Sequence, residues 1–237
     1  PPVSDHLLEL LMMLDIARSA AAREVQAVIP YFSYARSDKK DEPRISITAR
    51  LIADLLQTAG ATHVMTMTLH SPQVHGFFSV PTDPLTARAL FVKYFRERGL
   101  SADNTVVVTP DVGHAKSASR FAAFFGLPVA AGDKMRISDT EVVIGGLVGK
   151  QVRCFQHALI YDDESATGES VVELCRVLIE SEIKEITVVC THGLFVGRAR
   201  ERLSAIPQIT EIVTTDTVPL PPENRLPNMT VLSVAPV

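Results

Sequence analysis

Two adjacent carboxylates, Asp162 and Asp163, close the apolar run Leu159-Ile160-Tyr161, and Thr167-Gly168-Glu169-Ser170 follows shortly after. Residue types in this order suit a phosphorylated sugar. Amides at a helix N-terminus cradle a phosphate monoester, the hydroxyls of Thr167 and Ser170 add donors, and Gly168 lets the backbone come close. Paired carboxylates would hold vicinal ribose hydroxyls or a hydrated Mg²⁺. The bland alternative is an acidic strand end with Thr167 capping the next helix. A lone Asp-Asp would favour it; the whole strand–DDxxxTGxS unit does not.

These residues need elements to position them, and the apolar pattern supplies a series of alternating helices and strands. Helices are expected over 4–22, 46–58, 85–98, 115–125, 170–181 and 197–203. Strands are expected over 25–30, 63–68, 105–109, 128–131, 152–161, 186–190, 211–214 and 230–234. In the second helix Ile47, Leu51, Ile52 and Leu55 are expected on one buried face. Strands apolar throughout and separated by helices imply parallel sheets covered on both faces. Ligands then bind on the loops beyond the carboxyl ends of the strands. Residues 80–85, with Pro81 and Pro84, read as the hinge between two α/β units.

Composition narrows the function. With 46% apolar and 21% charged residues in 237, wholesale disorder is excluded. A net charge of -4 argues against nucleic acid as the partner, since phosphate neutralisation needs a basic surface. The longest apolar run, Phe121 to Gly132, is broken by Gly126 and Pro128 and is too short to span a bilayer, so no membrane partner is expected. Cys154, Cys175 and Cys190 form no CxxC pair and read as reduced thiols of a cytoplasmic protein. His6, His63, His75, His114, His157 and His192 lack metal-like spacing and read as core or surface residues, with His192 in its Thr-His-Gly loop as the one candidate exception. Phe121, Phe124 and Phe125 read as helix core packing.

Taken together, the motifs resemble the ribose-phosphate pyrophosphokinase family, which has the type I phosphoribosyltransferase fold. Residues 30–40, Pro-Tyr-Phe-Ser-Tyr-Ala-Arg-Ser-Asp-Lys-Lys, are similar to its PYFxYARQDRK segment. Thr68-Leu69-His70-Ser71-Pro72-Gln73 with Gly76-Phe77-Phe78 resembles DLHxxQ…GFF, and Thr109-Pro110-Asp111-Val112-Gly113 the SPDxG pyrophosphate loop. Asp133-Lys134-Met135-Arg136 resembles DKRR, residues 162–170 the ribose 5-phosphate loop, Thr191-His192-Gly193-Leu194-Phe195 the THGLF segment, and Thr215-Asp216-Thr217-Val218-Pro219 TDTIP. The matches are collinear along the whole chain.

The resemblance implies an α/β protein of two similar phosphoribosyltransferase-type domains, each a mainly parallel sheet flanked by helices. Residues 1–83 would be the remainder of an N-terminal domain on the ATP side, incomplete in this chain, and 84–237 the ribose 5-phosphate domain. More chain is expected on both sides, because the family's FxDGE loop precedes Pro1 and its last helix follows Val237. The implied activity is transfer of the diphosphoryl group of ATP to the 1-hydroxyl of ribose 5-phosphate, with Mg²⁺ as cofactor. Lys134 and Arg136 would be catalytic, two cations stabilising charge that spreads onto the transferred group. Arg36, Ser37 and His70 would bind ATP, and His70 and Asp111 the metal. Arg136, Asp162, Asp163, Ala166, Thr167, Gly168, Glu169 and Ser170 would bind ribose 5-phosphate.

A homo-oligomer built from dimers, with a hexamer as one form, is implied as well; the breadth of apolar positions on the first helix (Leu7, Leu8, Leu11, Met12) fits it. Residues 145–150 have the wrong spacing for a Walker A loop. Thr68, His114, Ser117, Met135 and Glu169 depart from the family pattern. These departures keep open the alternative of a non-catalytic regulatory subunit. A phosphoribosyltransferase acting on a base would need a base-binding hood, and nothing resembles one.

Overall fold

Apolar stretches around 25–30 and 63–68 pair side by side in the first of two units, Pro1–Thr86 and Ala87–Val237, into which the computed structural model divides. It describes residues 2–132, 134–136, 142–144 and 151–237, with 134–136 and 142–144 described by their backbone. Among the described residues no helix is long and apolar enough to cross a membrane.

The first unit contains α1 (Val3–Ser19), β1 (Gln26–Ile29), α2 (Thr48–Ala59), β2 (His63–Met67), a 3-10 turn over Pro72–Phe77 and β3 (Thr82–Leu85). Its three strands are parallel in the order β1-β2-β3. The segment read as a hinge is therefore a strand. Pro84 sits opposite Thr66 on the outermost strand, where a missing N–H costs no ladder bond. The buried stripe of α2 is Ala49, Ile52, Ala53 and Leu56, whereas Leu51 and Leu55 are 51% and 38% exposed. The expected face was thus rotated: Ala49, Ala53 and Leu56, not Leu51 and Leu55, sit closest to the core. Gly60 ends α2 at φ 128°, and a Cβ there would lie 2.8 Å from Arg18 Cβ of α1.

The second unit contains α3 (Arg88–Arg98), β4 (Thr105–Thr109), α4 (Ala115–Ala122), β5 (Val129–Ala131), β6 (Lys134–Arg136) and β7 (Val142–Ile144). It continues through β8 (His157–Ser165), α5 (Glu169–Glu180), β9 (Glu185–Gly193), α6 (Ala199–Ser204), β10 (Ile209–Thr215) and β11 (Met229–Leu232). Six strands form one parallel sheet in the order β11-β10-β9-β8-β4-β5, and β6 pairs antiparallel with β7. β4 (Thr-Val-Val-Val-Thr) is buried at every position, as β-branched residues in a sheet covered on both faces should be. On one face Tyr161 stacks on Phe121 and meets Phe91 edge-on. The core also holds Val106, Val108 and Ile160, which pack with Leu174 and Leu178 of α5 and Leu203 of α6. Phe124 is exposed, contrary to its reading as core, and the Arg96 guanidinium lies 5.9 Å over its ring.

The strand order decides where a ligand can sit. From β4 the chain moves outward to β5, then returns to the other side of β4 as β8 and proceeds to β9, β10 and β11. The direction of winding thus reverses between β4 and β8, and such a reversal opens a crevice beyond the carboxyl ends of the two strands.

Candidate active site

Two loops enter that crevice. The first leaves β4: Asp111 caps a 3-10 turn over Val112–His114, its Oδ1 accepting the Gly113 amide at 2.8 Å, and the His114 amide donates to the Asp111 carbonyl at 3.1 Å. The turn delivers the His114 ring to the end of the neighbouring strand. Asp162 Oδ1 lies 3.2 Å from its Nδ1 and Asp163 Oδ1 3.6 Å from its Nε2.

The second loop leaves β8, which is longer than its apolar run. It starts at His157, not at 152, and continues through Asp162, Asp163 and Glu164 to Ser165, because β9 pairs with it up to Ser165 opposite Gly193. The carboxylates are thus strand residues. The Asp163 amide donates to Asp162 Oδ1 at 2.9 Å. Beyond Ser165 the chain is pinned to the end of β9: the Leu194 and Phe195 amides donate to the Ser165 carbonyl, and that of Val196 to Ala166. Gly168 takes φ 74° and opens α5, whose first-turn N–H groups point toward the loop side.

Charges in this crevice face one another closely. Burial works against a proton on His114, but the close approach of Asp162 and the charges of Asp163, Asp162 and Asp111 prevail and push its pKa up to about 9. Burial raises the Asp162 carboxyl, the nearby His114 ring opposes it, and the charge of Asp163 adds to the rise. His114 was expected as a core or surface residue; the fold makes it the cation between two carboxylates. Only its place in the loop after β4 hinted at this.

Glu169 introduces a negative charge next to the expected phosphate position, and the structure shows what neutralises it. Arg202 of α6 pairs with Glu169 through Nη2 at 2.8 Å and donates from Nη1 to the Thr167 carbonyl at 2.9 Å. One guanidinium therefore holds both the side chain and the backbone of the loop. Sequence reading missed Arg202, whose distance along the chain from Glu169 leaves no local signal.

The ends of β9 and β10 are tied together by a third set of contacts. His192 Nδ1 lies 2.9 Å from Thr217 Oγ1, while the Thr215 and Thr217 hydroxyls donate to the Thr191 carbonyl. Gly193 is required here, since a Cβ would lie 2.5 Å from both Phe195 and Thr214. Buried Phe195 takes φ 42°, a conformation a bulky residue adopts only where its surroundings hold it.

The remaining expected residues belong to other segments of the chain. In the first unit, half-buried His70 follows β2 after Thr68, which has φ 44° and donates its amide to the Leu85 carbonyl. Arg36 is exposed, and the Ser37 hydroxyl donates to the Ser46 carbonyl while accepting the Thr48 amide, capping α2. Lys134 and Arg136 are the two ends of β6, opposite Ile144 and Val142. Asp133 and residues 145–150 lie outside the described residues.

Comparison with known proteins fits this arrangement. A family model described as the N-terminal domain of ribose phosphate pyrophosphokinase matches residues 1–60. A ribose-phosphate pyrophosphokinase of Deinococcus radiodurans is 48% identical over 244 residues, covering 100% of this chain and 74% of its own. One from Rhodopirellula baltica is 45% identical over 241 residues, with 100% and 74% covered. Among solved structures, phosphoribosylpyrophosphate synthetase from Mycobacterium smegmatis aligns with a TM-score of 0.88 at 34% identity, over 99% of this chain and 76% of that one.

Proposed function

The chain belongs to the ribose-phosphate pyrophosphokinase family, and from that premise we propose which of its residues carry the family reaction. The chain is an enzyme that transfers the diphosphoryl group of ATP to the 1-hydroxyl of ribose 5-phosphate, giving phosphoribosyl pyrophosphate and AMP for nucleotide biosynthesis.

In this reading the first unit is the ATP side and the second the ribose 5-phosphate side. Asp162 and Asp163 accept hydrogen bonds from the ribose hydroxyls. Residues 166–170 receive the 5-phosphate on the first-turn amides of α5, with donors from Thr167 and Ser170. The single observation that supports it best is the end of β8, where two carboxylates and a helix N-terminus follow one another at the reversal of strand order. Lys134 and Arg136 place cations on the transferred group, and Arg136 also reaches the sugar phosphate. Arg36 contacts the nucleotide; Ser37, capping α2, contributes by holding the Arg36 loop beside its own place in the ATP site.

Mg²⁺ is the proposed metal. The family uses a metal, and the donors suit a hard cation: the Asp111 carboxylate is held in place by the Gly113 amide, and the His70 nitrogen suits Mg²⁺ through a bridging water. When bound, the metal neutralises phosphate oxygens of ATP. Leu8, Met12, Met13 and Ile16 of α1 are all more than half exposed, which supports a homo-oligomer over burial of the whole helix within its own subunit. Three unpaired cysteines fit a cytoplasmic location.

Formation of AMP and phosphoribosyl pyrophosphate from ATP, Mg²⁺ and ribose 5-phosphate tests the activity; absence of both products from the full-length protein would overturn it. Sedimentation of Met12→Glu with Met13→Glu tests assembly, with smaller species expected and an unchanged profile refuting that surface.

A further inference from the structure

We propose that His114 is a positioning residue of the ribose 5-phosphate site: bridging Asp162 and Asp163 with its two ring nitrogens, it sets the orientation in which both carboxylates meet the sugar. This rests on the assignment of the end of β8 to ribose 5-phosphate.

The geometry suits an imidazole. Successive side chains of a strand point to opposite faces, so the carboxylates of Asp162 and Asp163 start out diverging. The ring reaches both through two polar atoms on opposite edges of a rigid frame. Nδ1 faces Asp162 Oδ1 at 3.2 Å and Nε2 faces Asp163 Oδ1 at 3.6 Å. The ring thus contacts one oxygen of each carboxylate. For Asp162 the Asp163 amide, at 2.9 Å on the same oxygen, adds a second restraint.

The surroundings argue against a purely structural role. The side chains of His114, Asp162 and Asp163 are 16%, 14% and 7% exposed, so the ring meets charge in a poorly solvated place rather than filling an apolar core. The turn that carries it closes without the ring, through the Gly113 amide on Asp111 and the His114 backbone. What the ring supplies is a polar contact to each of two neighbouring carboxylates. Without those contacts the two splay, and hydrogen bonds to vicinal hydroxyls depend on their spacing.

Steady-state kinetics with Mg²⁺ on the full-length protein test this, comparing wild type with His114→Ala, His114→Gln and Asp163→Asn. His114→Ala should raise KM for ribose 5-phosphate about tenfold while KM for ATP stays within about twofold, and His114→Gln, which keeps one polar contact, should fall in between. In the Asp163→Asn background the effect of His114→Ala should shrink, because the two residues act through one contact. Unchanged KM for ribose 5-phosphate in His114→Ala, or equal changes for both substrates, would overturn the inference. Thermal melts identify a variant that fails to fold; if His114→Ala does, His114→Gln carries the comparison, and parity with wild type there overturns the inference. An Asp163→Asn protein with normal KM would instead overturn the site assignment itself.

Discussion

Both units carry candidate residues on loops that leave parallel strands, yet they hold them by different means. In the first unit the strands run in chain order, β1-β2-β3, and the loops are set by backbone and hydroxyl contacts: Thr68 at positive φ bonded to Leu85, and Ser37 bridging Ser46 and Thr48. Its candidate cation Arg36 is exposed, and so are both partners of its Lys39–Asp41 ion pair. In the second unit the strand order reverses, two loops meet, and the charged groups they bring are poorly solvated and lie against one another. A charge kept in water needs no partner, whereas a buried one must be compensated within the protein. The second unit is therefore where single substitutions should have the sharper consequences.

The largest effect expected in the second unit is at Lys134. Lys134→Ala should lower kcat by about a hundredfold or more, the loss of one preorganised cation costing on the order of 3 kcal/mol, while both KM values change little. Equal turnover in variant and wild type would remove Lys134 from the chemistry. Asp162→Asn with Asp163→Asn should weaken ribose 5-phosphate binding about tenfold to a hundredfold and leave ATP binding largely intact, since each charge-assisted hydrogen bond contributes roughly 1.5–3 kcal/mol. Calorimetry with each substrate separately measures this. Loss of ATP affinity as well would blur the division between the units.

The pH dependence of stability sharpens the contrast. A histidine whose pKa rises from 6.5 to about 9 on folding stabilises the native state fully below pH 6.5, and that contribution is lost as pH rises through about 9. Thermal melts of the wild type should therefore fall between pH 6.5 and 9, and those of His114→Asn should lack that component. Identical pH profiles would show that His114 is not the buried cation.

The smallest effect is at Glu169 and Arg202. Their side chains are about one-third exposed, so the pair is worth roughly 0.5–1 kcal/mol. Glu169→Gly should change KM for ribose 5-phosphate by less than threefold. Arg202→Ala should raise it more, because it leaves Glu169 uncompensated and the Thr167 carbonyl without its donor, and the double variant should recover part of the loss. A double variant worse than Arg202→Ala would mean that Glu169 helps the loop by itself.

Much of this was legible along the chain. β4 could be read to the residue, since five consecutive buried positions of valine and threonine admit little else, and the Asp-Asp…Thr-Gly segment marked its own loop. The extent of β8 was not legible, because aspartate disfavours a strand in isolation and only pairing with β9 carries the ladder to Ser165. The buried face of α2 was misjudged because hydrophobicity favours Leu51 and Leu55, while close packing favours Ala49 and Ala53.

The sequence by itself determined the alternation of strands and helices, the residues at strand ends and the family they match, because these depend on local pattern and composition. Only the tertiary structure decided that β8 returns beside β4. Neighbours in a parallel sheet are set by how long crossovers pack, not by nearby residues. That one adjacency brings His114 between Asp162 and Asp163, and the packing of α6 near α5 brings Arg202 to Glu169. Buried charge finds its partner in space, at a distance along the chain that no local pattern records.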